Sequence, residues 1–337
     1  NGEKSELKKI MLVGKSGCGK TTTLRILGGF ETPDAGKVLF NGQDITQLPP
    51  NKRQLNTVFQ KYALFTHMTI AENIAFGLKI KGKSKAYIDD KIKYALKLVN
   101  LEGYENRSPA LLSGGQQQRI AIARAIVNEP KVLLLDEPLG ALDLKLRQDM
   151  QYELIRLKNE LGITFVYVTH DQEEALSMSD RIAVMNHGVI QQIGKPMTIY
   201  SHPRNLFVAT FIGQSNLFDA EVVECEGKKA LKFFDGSLQV MPRLQSSVPV
   251  GTPVKVVIRP NEIDFADQGI VGMIVETIYL GAEIRYTVNL ENGQTVEVSH
   301  DIKRRFAQNG EVVHLAFDHT RANAFDAQTE LSLMEEK

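Results

Sequence analysis

The chain has 337 residues, of which 43% are hydrophobic, and its 40 basic and 40 acidic side chains cancel to a net charge of zero. This is the composition of a globular protein of about two domains, and it excludes an intrinsically disordered chain. The balanced charge argues against a nucleic-acid partner, because proteins that neutralise phosphates along a duplex usually carry a basic excess. The two cysteines lie far apart, which excludes a disulfide framework and a cysteine zinc site. No uncharged apolar run is long enough to span a membrane, and we therefore expect a cytoplasmic chain.

Residues 10–211 alternate short apolar strands with helical segments, a pattern that predicts an α/β domain with a largely parallel sheet over residues 1–211. Continuous apolar or β-branched runs indicate buried strands, and apolar residues three and four positions apart indicate helices with one face in the core. We therefore expect helices at 89–99 and 145–161 and strands at 131–135, 164–169 and 181–185, the last forming a hairpin through 186–188.

The character of the chain changes after residue 211, where the helical periodicity fades and short β-like runs punctuated by glycines begin. Such runs predict a second, small all-β domain over residues 212–337, built as a barrel or a sandwich. The expected strands lie at 220–223, 231–234, 254–258, 272–278, 285–290 and 295–298.

A glycine-rich segment, named here the phosphate loop (residues 14–21), follows the first apolar run and fits the pattern GxxxxGK[ST]. In this pattern backbone N–H groups surround phosphate oxygens, the lysine reaches the outer phosphates, and the hydroxyl residue binds Mg²⁺ at the start of a helix. A glycine-rich turn that matches by chance is the alternative. The pattern predicts that nucleotide phosphates are bound by Gly14, Lys15, Ser16, Gly17, Cys18, Gly19, Lys20, Thr21 and Thr22, with Thr21 also on the metal.

Two adjacent carboxylates, Asp136 and Glu137, follow the strand expected at 131–135. Ligands of open parallel sheets bind at the carboxyl ends of the strands. Asp136 is suited to hold Mg²⁺ through its water shell, and Glu137 to accept a proton from the water that attacks the γ-phosphate. The alternative for this pair is a solvated acidic strand end.

A third segment, named here the signature segment (residues 112–119), reads LSGGQQQR and precedes an apolar helical run. Its residues open a helix whose N-terminus can face a γ-phosphate, although a serine N-cap followed by glycines is the simpler alternative. Nucleotide contacts are expected from Ser113, Gly114, Gly115 and Gln116. The LSGGQ sequence, standing between the phosphate loop and the carboxylate pair, resembles the signature of ATP-binding-cassette (ABC) ATPases, whose motifs have the same order.

The resemblance implies an ATPase with ATP and Mg²⁺ at its site, and it assigns roles to three further residues. Gln60, in Val58-Phe59-Gln60, would contact Mg²⁺ or water and sense a membrane partner. Asp143, in the run 140–143, would lie in the loop that meets the nucleotide of a second copy, and His170 would hydrogen-bond the γ-phosphate beside Glu137. The resemblance thus implies catalysis by Glu137, His170 and Gln60. Read alone, Gln60 would be a surface residue, Asp143 a helix cap and His170 a satisfied strand-end histidine.

The resemblance also implies partners and a location. Two copies would close head to tail around two ATP molecules, bind two transmembrane permease subunits at the cytoplasmic face of the cell membrane, and indirectly serve an extracytoplasmic solute-binding protein. Segments 59–65, 137–147 and 171–176 look like importers of the maltose and polyamine type, which carry a C-terminal OB-like domain termed TOBE.

Within that group, segments 55–62, 138–143 and 205–213 look most like spermidine/putrescine import ATPases. Importers of ferric iron, sugars or phosphonates are alternatives, as is a regulatory protein that binds ATP with little turnover. A DNA-associated relative is disfavoured by the zero net charge and the lack of a coiled coil.

The start of the chain departs from the family pattern. Members usually have a longer segment before the phosphate loop, with an aromatic residue that stacks on adenine, whereas thirteen residues precede Gly14 here and none is aromatic. Three explanations stay open: a truncated start, residues missing from the sequence, or a loss of base stacking.

Overall fold

The computed structural model of the chain describes residues 9–140, 142–304 and 307–335. It consists of two compact units, and the chain passes from the first to the second after Pro196. Among the described residues, no helix combines the length and apolar character needed to cross a membrane.

The first unit is an α/β domain. Its strands are β1 (Lys9–Gly14), β2 (Leu39–Phe40), β3 (Gln43–Asp44), β4 (Leu55–Val58), β5 (Val132–Asp136), β6 (Thr164–Thr169), β7 (Arg181–Asn186) and β8 (Val189–Gly194). Its helices are α1 (Lys20–Gly28), α2 (Ile70–Ile80), α3 (Lys85–Leu98), α4 (Gly114–Ile126), α5 (Leu144–Leu161) and α6 (Gln172–Met178).

The main sheet has the strand order β4-β5-β6-β1-β7-β8, in which only β8 runs antiparallel to its neighbour β7. The central strands are apolar on both faces because helices cover both sides of such a sheet. The register places Asp136 opposite Val168 and Val13 opposite Thr169. The residues that follow β1, β5 and β6 therefore emerge side by side at one edge of the sheet.

Helices α2, α3 and α4 form a helical subdomain with its own core. Their inward faces contribute Ile70, Ile74, Leu78, Ile88, Ile92, Leu96, Ile120 and Val127. Ser84 caps α3 by accepting a hydrogen bond from the backbone N–H of Tyr87, so this helix begins four residues before the predicted start.

The second unit is mostly β-structure. It contains helices α7 (Pro196–Ser201) and α8 (Leu206–Phe211) and strands β9 (Asn216–Cys225), β10 (Lys228–Phe233), β11 (Leu238–Val240), β12 (Pro253–Ile258), β13 (Ile263–Ala266), β14 (Ile270–Tyr279), β15 (Glu283–Leu290), β16 (Thr295–Asp301), β17 (Val312–Phe317) and β18 (Asn323–Asp326). The strands form two antiparallel sheets, ordered β11-β10-β9-β12-β18 and β13-β17-β14-β15-β16, around one shared apolar core.

The predicted fold class, an α/β ATPase-like domain followed by a small all-β domain, is confirmed. The six strands expected in the second unit are present, and the sequence interpretation missed β11, β13, β17 and β18. Helix α8 packs through Ala209 on Val257 and Phe325 of the β-sheet, so it groups with the second unit. A boundary between functional domains at residue 211 stays a prediction.

Candidate functional site

The phosphate loop connects the end of β1 to the start of α1. Gly19 caps α1 with φ of 97°, a left-handed conformation that glycine adopts without a steric penalty. Gly14 is crowded: a Cβ there would lie 2.3 Å from the carbonyl oxygen of Met185 and 2.6 Å from Sγ of Cys18. The backbone of the loop is therefore packed closely against the β7–β8 hairpin, and its shape depends on both glycines.

The ammonium group of Lys20 lies inside the phosphate loop. Its Nζ donates hydrogen bonds to the carbonyl oxygens of Gly14 at 2.8 Å and Lys15 at 2.9 Å, and the side chain is buried. An ammonium group has three donors, and these two bonds together with a long contact of 3.9 Å from Nζ to Sγ of Cys18, a weak acceptor, hold the charge in place. The loop thus combines a fixed positive charge with the N-terminus of α1, an arrangement suited to binding phosphate.

Thr21 and Asp136 meet at the start of α1 and the end of β5. The Thr21 hydroxyl donates a hydrogen bond to Oδ1 of Asp136 at 3.1 Å. Burial raises the pKa of Asp136, an effect that the hydrogen bond from Thr21 opposes. A partly buried carboxylate beside a hydroxyl offers the oxygen ligands that Mg²⁺ prefers, and Mg²⁺ usually completes its shell with waters and substrate phosphates. These residues therefore fit the metal that the sequence predicts there.

Glu137 stands at the centre of the three residues predicted to act in catalysis. Its Oε2 accepts a hydrogen bond from Nε2 of Gln60 at 3.3 Å, and its Oε1 lies 3.3 Å from Nδ1 of His170. The backbone of Glu137 is left-handed, with φ of 42°, and its N–H donates to the carbonyl oxygen of Val168. Such a conformation is unfavourable for a residue with a Cβ and is found preferentially at functional sites.

The signature segment is built around a capped helix. Ser113 accepts a hydrogen bond from the backbone N–H of Gln116, whose side chain accepts one from the N–H of Ser113 in return. A Cβ at Gly115 would lie 2.8 Å from the Leu146 side chain, so α4 and α5 approach closely at their starts. Asp143 caps α5 by accepting from the N–H of Leu146. These residues act as helix caps in the structure, and this role is compatible with the prediction that they also bind nucleotide.

The predicted site residues thus fall into three groups. The first is the phosphate loop with the Thr21–Asp136 pair, and the second is Gln60, Glu137 and His170. The third, Ser113 to Gln116 with Asp143, contacts α5. Within the loop, Lys15, Ser16 and Thr21 are exposed and Cys18 is buried, and Thr22, directly after the loop, is exposed. Ala141, in the run that ends at Asp143, lies outside the described residues.

Sequence reasoning missed two charged residues next to this site, Arg147 and Glu174. Glu174 is only 3% exposed, although its neighbour Glu173 on the same short helix is exposed. Arg147 lies 3.6 Å from Asp171, which follows His170. For Glu174 the available sequence signal is a carboxylate at an inward position of α6, and this signal is weak without the tertiary structure.

The sequence matches two family models, one described as ABC transporter over residues 3–140 and one as TOBE domain over residues 256–325. It is 57% identical to the spermidine/putrescine import ATP-binding protein PotA of Acetivibrio thermocellus, over 81% of this chain and 76% of that protein. The corresponding proteins of Clostridioides difficile and Rubrobacter xylanophilus are 54% and 48% identical, over 87% and 91% of this chain and 83% of each relative.

A solved structure is also similar. It is CbiO1 from Clostridium perfringens, described as part of the ABC transporter complex CbiONQ, with a TM-score of 0.53 and 29% identity. The match covers 57% of this chain and 78% of that one.

Proposed function

This chain belongs to the family of ABC transporter ATP-binding proteins, in its spermidine/putrescine import branch, and from this premise we propose how its residues use ATP to drive polyamine import. The chain is an ATPase subunit of such an importer. The observation that carries the mechanism is the contact of Glu137 with both Gln60 and His170, at the sheet edge that also holds Lys20, Thr21 and Asp136.

ATP binds through its phosphates at the phosphate loop. Backbone N–H groups at the start of α1 would bind the phosphate oxygens, as would the Lys20 ammonium group in exchange for its weak contact with Sγ of Cys18, and the helix dipole adds to the attraction. Thr21, Asp136 and Gln60 would hold Mg²⁺, which neutralises phosphate charge when bound. Among the described residues no group of three histidine, cysteine, aspartate or glutamate side chains could hold a metal by itself.

Hydrolysis uses Glu137 as the general base. Glu137 accepts a proton from a water molecule while the oxygen of that water bonds to the γ-phosphorus. The bond between the γ-phosphorus and the bridging oxygen breaks, and ADP leaves with that oxygen. Gln60 and His170, at hydrogen-bond distance from the two carboxylate oxygens, keep this carboxylate oriented. His170 is more than half exposed, and in its protonated form, which has two N–H donors, it could bond to Glu137 through Nδ1 and to a γ-phosphate oxygen through Nε2.

The second half of each nucleotide site comes from another copy. One chain contributes one phosphate loop and one signature segment. The N–H of Gln116 bonds to the Ser113 hydroxyl, so the first-turn donors of α4 that could meet a phosphate are the N–H groups of Gly114 and Gly115. Two copies joined head to tail would bring the signature segment and Asp143 of each to the ATP of the other. This arrangement supports a homodimer that closes on ATP and opens after hydrolysis.

Replacement of Glu137 by glutamine tests the proposed chemistry. Glu137→Gln keeps the shape of the side chain and one acceptor oxygen but replaces the other oxygen by an NH2 donor and removes the base, so turnover should fall by about a hundredfold or more while ATP binding persists. Light scattering of this variant should show a dimer with Mg-ATP and a monomer without it. Glu160→Gln, on α5 and paired with Arg156, is the matched control and should hydrolyse ATP normally. Full turnover of Glu137→Gln would refute the assignment.

A permease subunit would bind in the groove beside Gln60. The groove, with a volume of about 320 Å³, is lined by Phe59, Phe65, Phe76 and Arg124, among others. The rings of Phe65 and Phe76 have centroids 4.6 Å apart and planes tilted by 48°, and the Arg124 guanidinium lies 5.3 Å from the centroid of the Phe65 ring. An aromatic pocket with a cationic rim suits a short amphipathic helix from the membrane subunit. Such docking would place the chain at the cytoplasmic face of the membrane, in indirect contact with a solute-binding protein.

Co-purification with the permease tests this surface. Phe76→Ser should reduce recovery of the complex several-fold and leave basal hydrolysis by the isolated subunit intact. Ile80→Ser, on the same helix α2 but 72% exposed and outside the groove, should assemble like the unmodified chain. Equal recovery of both variants would place the docking site elsewhere.

A further inference from the structure

The buried carboxylate of Glu174 lies behind the loop that carries His170. Its Oε2 accepts hydrogen bonds from the Tyr167 hydroxyl at 2.9 Å and the Thr169 hydroxyl at 2.8 Å. Burial raises the pKa of Glu174, and the two hydroxyl donors oppose that rise. A buried carboxylate with two short hydrogen bonds holds its partners firmly, so the residue that precedes His170 is fixed to α6.

Asp171 fixes the residue on the other side of His170. Its backbone N–H donates to the Thr169 hydroxyl at 2.9 Å, and its Oδ1 accepts from the N–H groups of Glu173 and Glu174 as the cap of α6. Both neighbours of His170 therefore belong to one hydrogen-bonded network. The histidine side chain is the exposed part of a rigid turn, and its approach to Glu137 depends on that turn.

Arg147 connects this turn to the start of α5. Its Nη1 lies 3.6 Å from Oδ2 of Asp171, and its Nη2 donates to the carbonyl oxygen of Leu142 at 3.1 Å. Leu142 immediately precedes Asp143, and its side chain would be 3.4 Å from a Cβ at Gly114 in the signature segment. One guanidinium thus spans the segment before α5 and the loop of His170.

The ion pair of Arg147 and Asp171 is partly open to solvent, with 30% and 27% of the side chains exposed. Such a pair contributes little to stability. Its geometry is more informative, because a guanidinium with two partners on separate segments transmits a displacement of one segment to the other.

We propose that Arg147 is a positioning residue that couples the segment before α5 to His170, with Glu174 and Asp171 holding the histidine loop rigid. When a second copy engages Asp143 and its neighbours, Arg147 would set the position of His170 relative to Glu137. This proposal rests on the function proposed above, because the head-to-tail dimer proposed there is what brings Asp143 into contact with a second copy. It adds a route by which dimer closure and hydrolysis are linked within one chain.

Steady-state kinetics of Arg147→Ala, Asp171→Asn and the double variant test the coupling. Asparagine preserves the cap of α6 while removing the charge that pairs with Arg147. Each single variant should lower kcat by about tenfold to a hundredfold with KM changed less than about threefold, because the reacting groups are misplaced but ATP still binds. The double variant should lose no more than either single variant. Arg147→Lys should recover part of the loss.

Arg156→Ala is the matched control on the same helix, since Arg156 pairs with Glu153 and Glu160. Its kcat should stay near that of the unmodified chain, and the thermal midpoints of both arginine variants should be compared. Losses that add in the double variant, or an equal loss of kcat in Arg156→Ala, would overturn the proposal.

NMR of the ATP-free chain with labelled histidine provides a readout that does not require hydrolysis. The His170 resonance, assigned with His170→Gln, should shift or broaden in Arg147→Ala and stay unchanged in Arg156→Ala. An unchanged His170 signal in Arg147→Ala would refute the positioning role. If the unmodified chain failed to hydrolyse ATP, the proposed function would fail, and the NMR comparison would still decide the role of Arg147.

Discussion

Lys9, at the start of β1, is a buried amine in the centre of the main sheet. Its side chain is 0% exposed, and its Nζ has no hydrogen-bond partner within the described part of the chain. The nearest ring is that of Tyr167, whose centroid lies 5.7 Å away. Burial, together with the charge of Lys158, lowers the pKa of Lys9 to about 7, and this value includes the opposite effects of Asp180 and Glu174. The neutral amine is therefore the form that the fold prefers.

The sign of the pH dependence follows from where the proton is bound. Between pH 7 and the ordinary lysine pKa of 10.5, the unfolded chain carries the proton on Lys9 and the folded chain does not. The free energy of unfolding should therefore rise with pH in this window, by up to about 1.4 kcal/mol per pH unit from this group. This contribution to the free energy of unfolding is lost as the pH falls towards 7. At pH 7 the loss relative to high pH amounts to about 4 kcal/mol.

Lys9→Met removes the titration while keeping a long apolar side chain. We expect the variant to be more stable than the unmodified chain at pH 7, by about 2 to 4 kcal/mol, with the difference shrinking towards pH 10. Guanidinium unfolding followed by far-UV circular dichroism at pH 7, 8 and 9 measures both quantities. Lys97→Met, at an exposed position of α3, is the control and should show no pH-dependent difference. A stability difference that is constant from pH 7 to 9 would refute the reasoning.

Three further predictions concern the nucleotide site. Lys20→Ala should raise the Kd for ATP by about tenfold or more in calorimetric titration, because the loop loses its fixed charge; unchanged affinity would contradict the role of the ammonium group. Asp136→Asn should raise the Mg²⁺ concentration for half-maximal hydrolysis by about tenfold, and an unaltered metal dependence would remove Asp136 from the site. Ser113→Ala should destabilise the chain by about 1 kcal/mol through loss of the cap and also weaken the ATP-dependent dimer of the Glu137→Gln variant. Ser84→Ala, which removes the cap of α3, should cause a similar loss of stability without changing dimer formation.

The contacts between distant motifs explain why the candidate site was only partly predictable. The pattern of residues 14–21 and the acidic pair after an apolar strand each indicated phosphate chemistry. Gln60 and His170 are separated from Glu137 by 77 and 33 positions, and nothing in the local sequence brings them together. Their roles came from the resemblance to ABC ATPases, and they stay predictions until tested. Arg147 escaped notice because its partners lie on two other segments.

The sequence by itself determined the elements whose signal is local. Continuous apolar runs and helical spacing predicted β5, β6 and α5 to within one residue at each end. A strand buried on both faces requires consecutive apolar residues, and a helix buried along one stripe requires them three and four positions apart, so both are visible in the sequence. The order of the motifs likewise determined the family.

Only the tertiary structure decided features that depend on pairing between remote segments. β13 and β18 are four residues long and exist as strands because they pair with β17 and β12, far away in the chain. The burial of Lys9 is of the same kind: its environment is set by β6, α5 and the turn before β7, so a basic residue near the start of the chain gave no sign of lying in the core. Local patterns record which face of an element is buried, whereas the identity of the partner is fixed by how the elements pack.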